Sequence, residues 1–268
     1  MEYIHLFNTI SECDTYYNGE SYKEPCVSFT LENNEIKYNK VATHDYSKDY
    51  FTLKAITSGN FGVEKRGYAE DVLKYRINGG EWVIAEGTVS NLPLNEGDAI
   101  EVSFNPSHNM EIYGGNFVSF TGQFEIYGNI FSLMYGDDFE SYSTMKMTFA
   151  GMFQRNQNII SAENLILPAT TLIEKSYSSM FDVCSNLEKA PVLPAQTLSA
   201  NCYKAMFNAC PKINYIKCLA TDISASECTN SWLYGVSFTG TFVKDATMTS
   251  WTSGVNGIPE NWTVEDAS

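Results

Sequence analysis

Residues 181–213 read FDVCSNLEKAPVLPAQTLSANCYKAMFNACPKI, and the segment states one pattern twice. Phe181 and Phe207 each follow a Met and each precede a cysteine by three residues, Cys184 and Cys210. The run Leu193-Pro194-Ala195-Gln196-Thr197-Leu198 has an earlier copy in Leu167-Pro168-Ala169-Thr170-Thr171-Leu172. Working outward, Met152-Phe153 precedes Met180-Phe181 by 28 residues, and Trp232-Leu233 follows Met206-Phe207 by 26. Pro168 to Pro194, Cys184 to Cys210 and Cys202 to Cys228 also keep an interval of 26, with Ala220 in the next proline slot. Independent positions that share one period identify a repeat array.

Within a repeat, LEKAPVLPA is a short extended piece, because Pro191 and Pro194 keep it out of a helix. SANCYKAMFNAC then places Tyr203, Met206, Phe207 and Cys210 at i, i+3, i+4 and i+7, an apolar stripe of two helical turns. Ser199 or Asn201 stands where a helix cap would. Such a unit cannot bury its apolar face alone, so neighbours must stack, and the recurring cysteines become small apolar rungs. The tail SGVNGIPENWTVEDAS breaks the period and is expected to close the end of the array.

The rest of the chain reads differently. Residues 43–130 alternate apolar and polar positions, as in Phe51, Leu53 and Ala55 or Ile100, Val102 and Phe104. Asn78-Gly79-Gly80 sits between Tyr75/Ile77 and Trp82/Ile84, a hairpin signature, and Gly122 marks a turn or bulge between Val118/Phe120 and Phe124/Ile126. These features point to a small all-β sandwich. In residues 1–42, Val27, Phe29 and Leu31 alternate before Glu32-Asn33-Asn34-Glu35, and Ile36 and Tyr38 follow, which reads as a second hairpin. A lone hairpin is marginal in water, so this segment is expected to dock onto its own chain or another.

The fold class expected is therefore α+β: an N-terminal hairpin segment, a small all-β sandwich, then a short solenoid of strand-plus-short-helix repeats. The expected divisions are an attachment segment at 1–42, the sandwich at 43–130, the array at 131–248 and a cap at 249–268.

Composition narrows the function. A formal charge of −15 with no Lys/Arg-rich run argues against a nucleic-acid partner, which needs clustered cations. No stretch approaches the roughly 18–20 apolar residues of a spanning helix, so no membrane insertion is expected. The N-terminus MEYIHLFNTISECDTYYNG has no basic start, apolar core or small-residue cleavage site, which suggests folding in the cytoplasm of its host. The seven cysteines include no C-x-x-C, and the three histidines, His5, His44 and His108, lie in separate segments. No nucleophile–base pattern, metal site or cofactor is expected from them. Asp137-Asp138 falls in a Gly-Asp-Asp turn and reads as a turn or cap rather than a glycosidase pair. Aromatic faces are the better candidates for binding: Tyr234, Trp251 and Trp262, the alternative being that the tryptophans close the last repeat's core. Trp232 occupies the repeat's Met slot and is expected in the core.

The motif L-x-x-A-P-x-L-P-A-x-T-L-x-x-x-C-Y-x-x-M-F-x-x-C, at 187–210, resembles the BspA-like leucine-rich repeat of Bacteroides and their phages. YRINGGEW, NEGDAIEVSF and YGNIFSLMYGDDF resemble the β-domain that precedes such arrays. The segment from IKCLATDIS to GIPENW is similar to their C-terminal ending. The first repeat departs from the motif, with Gln154-Arg155-Asn156 where the cysteine would fall. HLFNTISECDTYYNGESYKEPCVSFTLENNEIKYNK resembles a leader of virion proteins in gut Bacteroides phages, including crAss-like ones. The resemblance implies a non-enzymatic head or tail fibre or decoration subunit, located in the virion and assembled in the bacterial cytoplasm. Its attachment residues would be Tyr22, Pro25, Val27, Phe29, Ile36 and Tyr38. Its partners would be other virion proteins, further copies of itself, and a host surface glycan or mucin. The alternative is a bacterial cell-surface adhesin built from the same modules.

Overall fold

The structure, a computed structural model, describes the backbone of residues 29–32 and 35–38 and the whole of 44–65, 71–106 and 117–267. It divides into two units, Met1–Asp45 and Tyr46–Ser268. In the first, β1 (Phe29–Glu32) pairs antiparallel with β2 (Glu35–Tyr38), Leu31 opposite Ile36 and Phe29 opposite Tyr38. That is the register the alternating residues require. Tyr22, Pro25 and Val27 lie outside the described residues.

The second unit begins with β3 (Phe51–Ala55), β4 (Gly59–Val63), β5 (Val72–Ile77) and β6 (Val83–Ile84). It continues with β7 (Val89–Leu94), β8 (Ala99–Asn105), β9 (Val118–Phe120) and β10 (Phe124–Asn129). A single four-residue helix, α1 (Ser132–Tyr135), follows, then β11 (Ile159–Ile166), β12 (Tyr215–Cys218), β13 (Gly240–Lys244) and β14 (Trp262–Asp266).

A six-stranded sheet runs β11-β10-β3-β8-β5-β6 and a three-stranded one runs β7-β4-β9. Phe51, Leu53, Ile100, Val102, Phe104, Phe124 and Ile126 are all buried, as period-two alternation demands of strands with one face inward. The two sheets share that core: the Phe120 ring of β9 meets Phe124 of β10 edge-on at 6.0 Å. Asn78 and Gly79 both take positive φ, 52° and 68°, at the turn leaving β5. At Gly122 an added Cβ would lie 2.5 Å from the Thr57 carbonyl oxygen, so only glycine fits there. β11 adds in parallel to β10, so the sheet draws strands from both sides of position 130.

The α+β expectation, with its solenoid of strand-plus-short-helix repeats, is overturned. Regular structure in the described residues is overwhelmingly strand, and α1 lies before the first repeat. Where two-turn helices were expected, the chain makes rows of tight turns with a left-handed residue every fourth position. These are Lys175, Ser179 and Val183, then Asn201, Ala205 and Ala209, then Glu227, Ser231 and Gly235. Each set is displaced from the last by 26 residues.

The backbone hydrogen bonds explain why. Alternate N–H groups, those of Lys175, Tyr177, Ser179, Phe181 and Val183, donate to the carbonyls of Ala200, Cys202, Lys204, Met206 and Asn208 in the next row, at 2.7–3.0 Å. Those of Asn201, Tyr203, Ala205, Phe207 and Ala209 do the same to Ser226, Cys228, Asn230, Trp232 and Tyr234. The intervening N–H groups close local turns, as Met180 donates to Tyr177 and Asp182 to Ser179. A helix would satisfy every donor within its own segment; here half are spent between rows. A four-residue turn period buries i, i+3, i+4 and i+7 as well as a helix does, and Tyr203, Met206, Phe207 and Cys210 are indeed all buried. Ser199 does not cap a helix either, since its hydroxyl donates to the Leu172 carbonyl in the preceding repeat.

Stacked rings hold the rows in register. Phe153, Phe181 and Phe207 form one column with centroids 5.5 Å apart at each step, and Tyr177, Tyr203 and Trp232 form another at 6.1 and 6.3 Å. Each ring is fully desolvated, which contributes about 1.5–3 kcal/mol per side chain in transfer alone.

Candidate functional site

Beside the turn rows the chain lays down parallel extended segments: β11, residues 188–194, β12, β13 and β14. Residues 188–194 are bridged to β11 through Lys189 and Ser161, and to β12 through Leu193 and Cys218. Between these bridges stands Pro191, which has no N–H to give to a ladder. The first half of the segment therefore bonds to β11 (Glu188 N–H to Ile160, 2.9 Å) and the second half to β12 (Leu193 N–H to Lys217, 2.9 Å). Neither partnership runs its full length, and an open groove of ≈ 840 Å³ lies over this face.

Lys189, Val192, Tyr215, Lys217, Thr239 and Thr241 line the groove, with Glu163 among them. Gly240 lets β13 approach closely: a Cβ there would collide with the Asn214 carbonyl oxygen and come within 2.7 Å of the Trp262 ring. Tyr215 is 46% exposed. Lys189 and Lys217 have no carboxylate partner among the described residues, whereas Lys54, Lys74, Lys204, Lys212 and Lys244 each pair with one. Glu163, Lys189, Tyr215 and Thr241 are successive residues at one interval of 26, so the groove is built from one outward slot of the repeat.

The aromatic candidates are separated by the fold. Trp262 is buried and its Nε1–H donates to the Ser237 carbonyl at 2.8 Å. Trp251 lies flat against Trp232, centroids 5.4 Å apart and planes 3° from parallel, with Phe242 at its edge. Both close the last repeat's core, as does the fully buried Trp232. Tyr234 is 60% exposed and borders a shallow cleft of ≈ 290 Å³ with Phe238, itself 79% exposed, Val255 and Pro259. Phe29, Ile36 and Tyr38 lie on the β1–β2 hairpin of the other unit.

Asp137 is engaged in an ion pair rather than poised for chemistry. It accepts hydrogen bonds from Lys74 Nζ (2.6 Å) and the Tyr50 hydroxyl (2.9 Å). Burial alone would raise its pKa, but these donors outweigh it and hold the carboxyl below its ordinary value. Burial and the same bond push Tyr50 up to about 12. Lys74 and Arg76 lie over the Trp82 ring at 4.6 and 4.8 Å, closing this side of the sheet with cation–π contacts.

The five described cysteines are free and buried. Cys184 donates its thiol to the Phe153 carbonyl at 2.9 Å, and Cys210 to Phe181 at 3.0 Å, so the repeated cysteine ties one row to the one before. Burial pushes Cys202, Cys210 and Cys218 up to about 12, which suppresses the reactive thiolate. Cys13 and Cys26 lie outside the described residues. Among the described residues no cluster of three His, Cys, Asp or Glu is placed to hold a metal, and no helix is long and apolar enough to cross a membrane.

Comparison with known proteins finds no matching family, curated protein or solved structure.

Proposed function

We propose that the protein is a non-enzymatic structural and binding subunit of a bacteriophage particle, a head or tail fibre or a decoration protein. Residues 1–42 would attach it to other virion proteins, and the repeats would face outward to a host surface glycan. One observation carries the binding half of this reading: a single slot of the repeat, Glu163, Lys189, Tyr215 and Thr241, lines one open groove. A surface of this kind suits an extended partner better than a small substrate that must be enclosed for chemistry. The attachment half rests on the resemblance of the N-terminal leader and on the hairpin of β1 and β2, which is too small to be stable alone. Multiple copies on a particle would raise avidity without any new contact.

Mass spectrometry of purified particles tests the reading, together with particles from a gene lacking residues 1–42. The full-length protein should copurify with particles and the truncated one should not. Recovery in the bacterial envelope fraction instead of particles would overturn it in favour of an adhesin.

A further inference from the structure

We propose that the groove over β11, β12 and β13 binds an acidic saccharide, one carrying carboxylate or sulfate groups, with Lys189 and Lys217 taking the charge and Tyr215 supporting a sugar ring. The proposal deepens the binding half of the function above and rests on it. Three observations converge. The groove's volume, ≈ 840 Å³, lies within the range of roughly 300–1,000 Å³ common to ligand clefts. Its lining combines one exposed phenol ring with the hydroxyls of Thr239 and Thr241 and the side chain of Asn214. A sugar offers the matching chemistry, an apolar C–H face bordered by hydroxyls. Third, two ammonium groups stand there without carboxylate partners among the described residues, on a chain whose net charge is −15.

The charge decides the ligand's class. A polyanion approaches a chain of this charge against repulsion, so it needs local cations, and a neutral glycan does not. Lys189 and Lys217 supply two such cations against the one carboxylate of Glu163. Two lysines are too few to displace the counterions that nucleic-acid binding requires. Lys217 is fixed by its backbone, whose carbonyl accepts from Leu193, and Lys189 by its bridge to Ser161. Both ammonium groups are therefore presented from defined backbone positions.

The experiment is calorimetric titration of the full chain with a uronic-acid hexasaccharide and with a neutral glucose hexasaccharide of equal length. The acidic oligomer should bind and the neutral one should bind at least tenfold more weakly. Lys189→Ala with Lys217→Ala should weaken acidic binding roughly tenfold, from about two- to fivefold per exposed charge. Tyr215→Ala should weaken both oligomers, and Glu163→Gln should tighten the acidic one. Raising salt should reproduce the loss in the wild type but not in the double variant. All four positions are at or near the surface, so matching thermal unfolding curves will show that the variants fold. Equal affinity for both oligomers, no binding of either, or an unchanged double variant overturns the proposal. A protein found in particles that binds no acidic saccharide sinks this inference alone. One that binds the saccharide but is missing from particles sinks the virion reading alone.

Discussion

Replacing Ala205 by glycine separates a turn row from a helix by the sign of its effect. Ala205 has φ 52°, the left-handed region, in the middle of the row from Asn201 to Ala209. A non-glycine residue there costs about 1–2 kcal/mol against its preferred conformations. Glycine removes that cost but adds roughly 0.5–1 kcal/mol of chain entropy to lose on folding. The half-buried methyl gives back only a few tenths of a kcal/mol on the ~25 cal/mol/Å² scale. The net expectation is a gain of about 0.5 kcal/mol, or an upward shift in Tm of about 1–2 °C for a chain of this size. In a helix the same change would lose about 1 kcal/mol. The reverse change at the equivalent slot, Gly235→Ala, should destabilise by about 1–2 kcal/mol, because Gly235 has φ 75° and Ala209 Cα lies 3.4 Å from the added Cβ. Urea and thermal unfolding of the purified variants measure both. A loss of about 1 kcal/mol in Ala205→Gly, with Gly235→Ala neutral or stabilising, would refute the turn-row account.

Tyr203→Phe should raise stability by about 1 kcal/mol in the same assay, since the Tyr203 hydroxyl is fully buried without a hydrogen-bond partner. A loss instead would mean that the hydroxyl is satisfied. Native Cys202, Cys210 and Cys218 should resist iodoacetamide at pH 8 and react once unfolded, read by peptide mass spectrometry. Because burial raises these thiols, the unfolded chain gives up their protons first, above about pH 8.5. Their stabilising contribution is therefore complete below that pH and is lost as pH rises toward about 12. Asp137 behaves oppositely: its folded pKa is depressed, so its contribution is present above the ordinary value of about 3.9 and lost as pH falls through the depressed one. Asp137→Asn should flatten that acid limb of a Tm-versus-pH profile, and an unchanged limb would count against the Lys74–Asp137 pair.

Much of this architecture is legible in the residues. The interval of 26 locates the stacked phenylalanines, and the alternating runs locate β3, β8 and β10, because burial period is visible wherever one face is solvent-free. Asn78-Gly79 marks its turn because few other residue pairs tolerate two successive positive φ values. The conformation between those landmarks is not legible. Over eight residues a period of four and a period of 3.6 bury the same set, and left-handed Lys175, Val183 and Ala205 are residue types that carry no such signal. The groove was hidden for a different reason. Sequence reading favoured large aromatics, while Lys189 and Tyr215 become neighbours only once parallel segments 26 residues apart are laid side by side. Their shared slot in the period was the available signal.

The hydrogen bonds between rows all run one way. Each row gives its N–H groups to the row that follows and offers its carbonyls to the row before. The array thus has a polarity like that of a stack of sockets, with acceptors open at one end and donors at the other. Asn256 and Gly257 meet the donor end, their oxygens receiving Ser231 N–H, the Thr229 hydroxyl and the Trp232 indole. Copying one 26-residue unit within the gene would insert matched donors and acceptors together and leave both ends as they were. Length can therefore change in whole units by simple duplication, and each added unit would extend the outward face without any redesign of its closure.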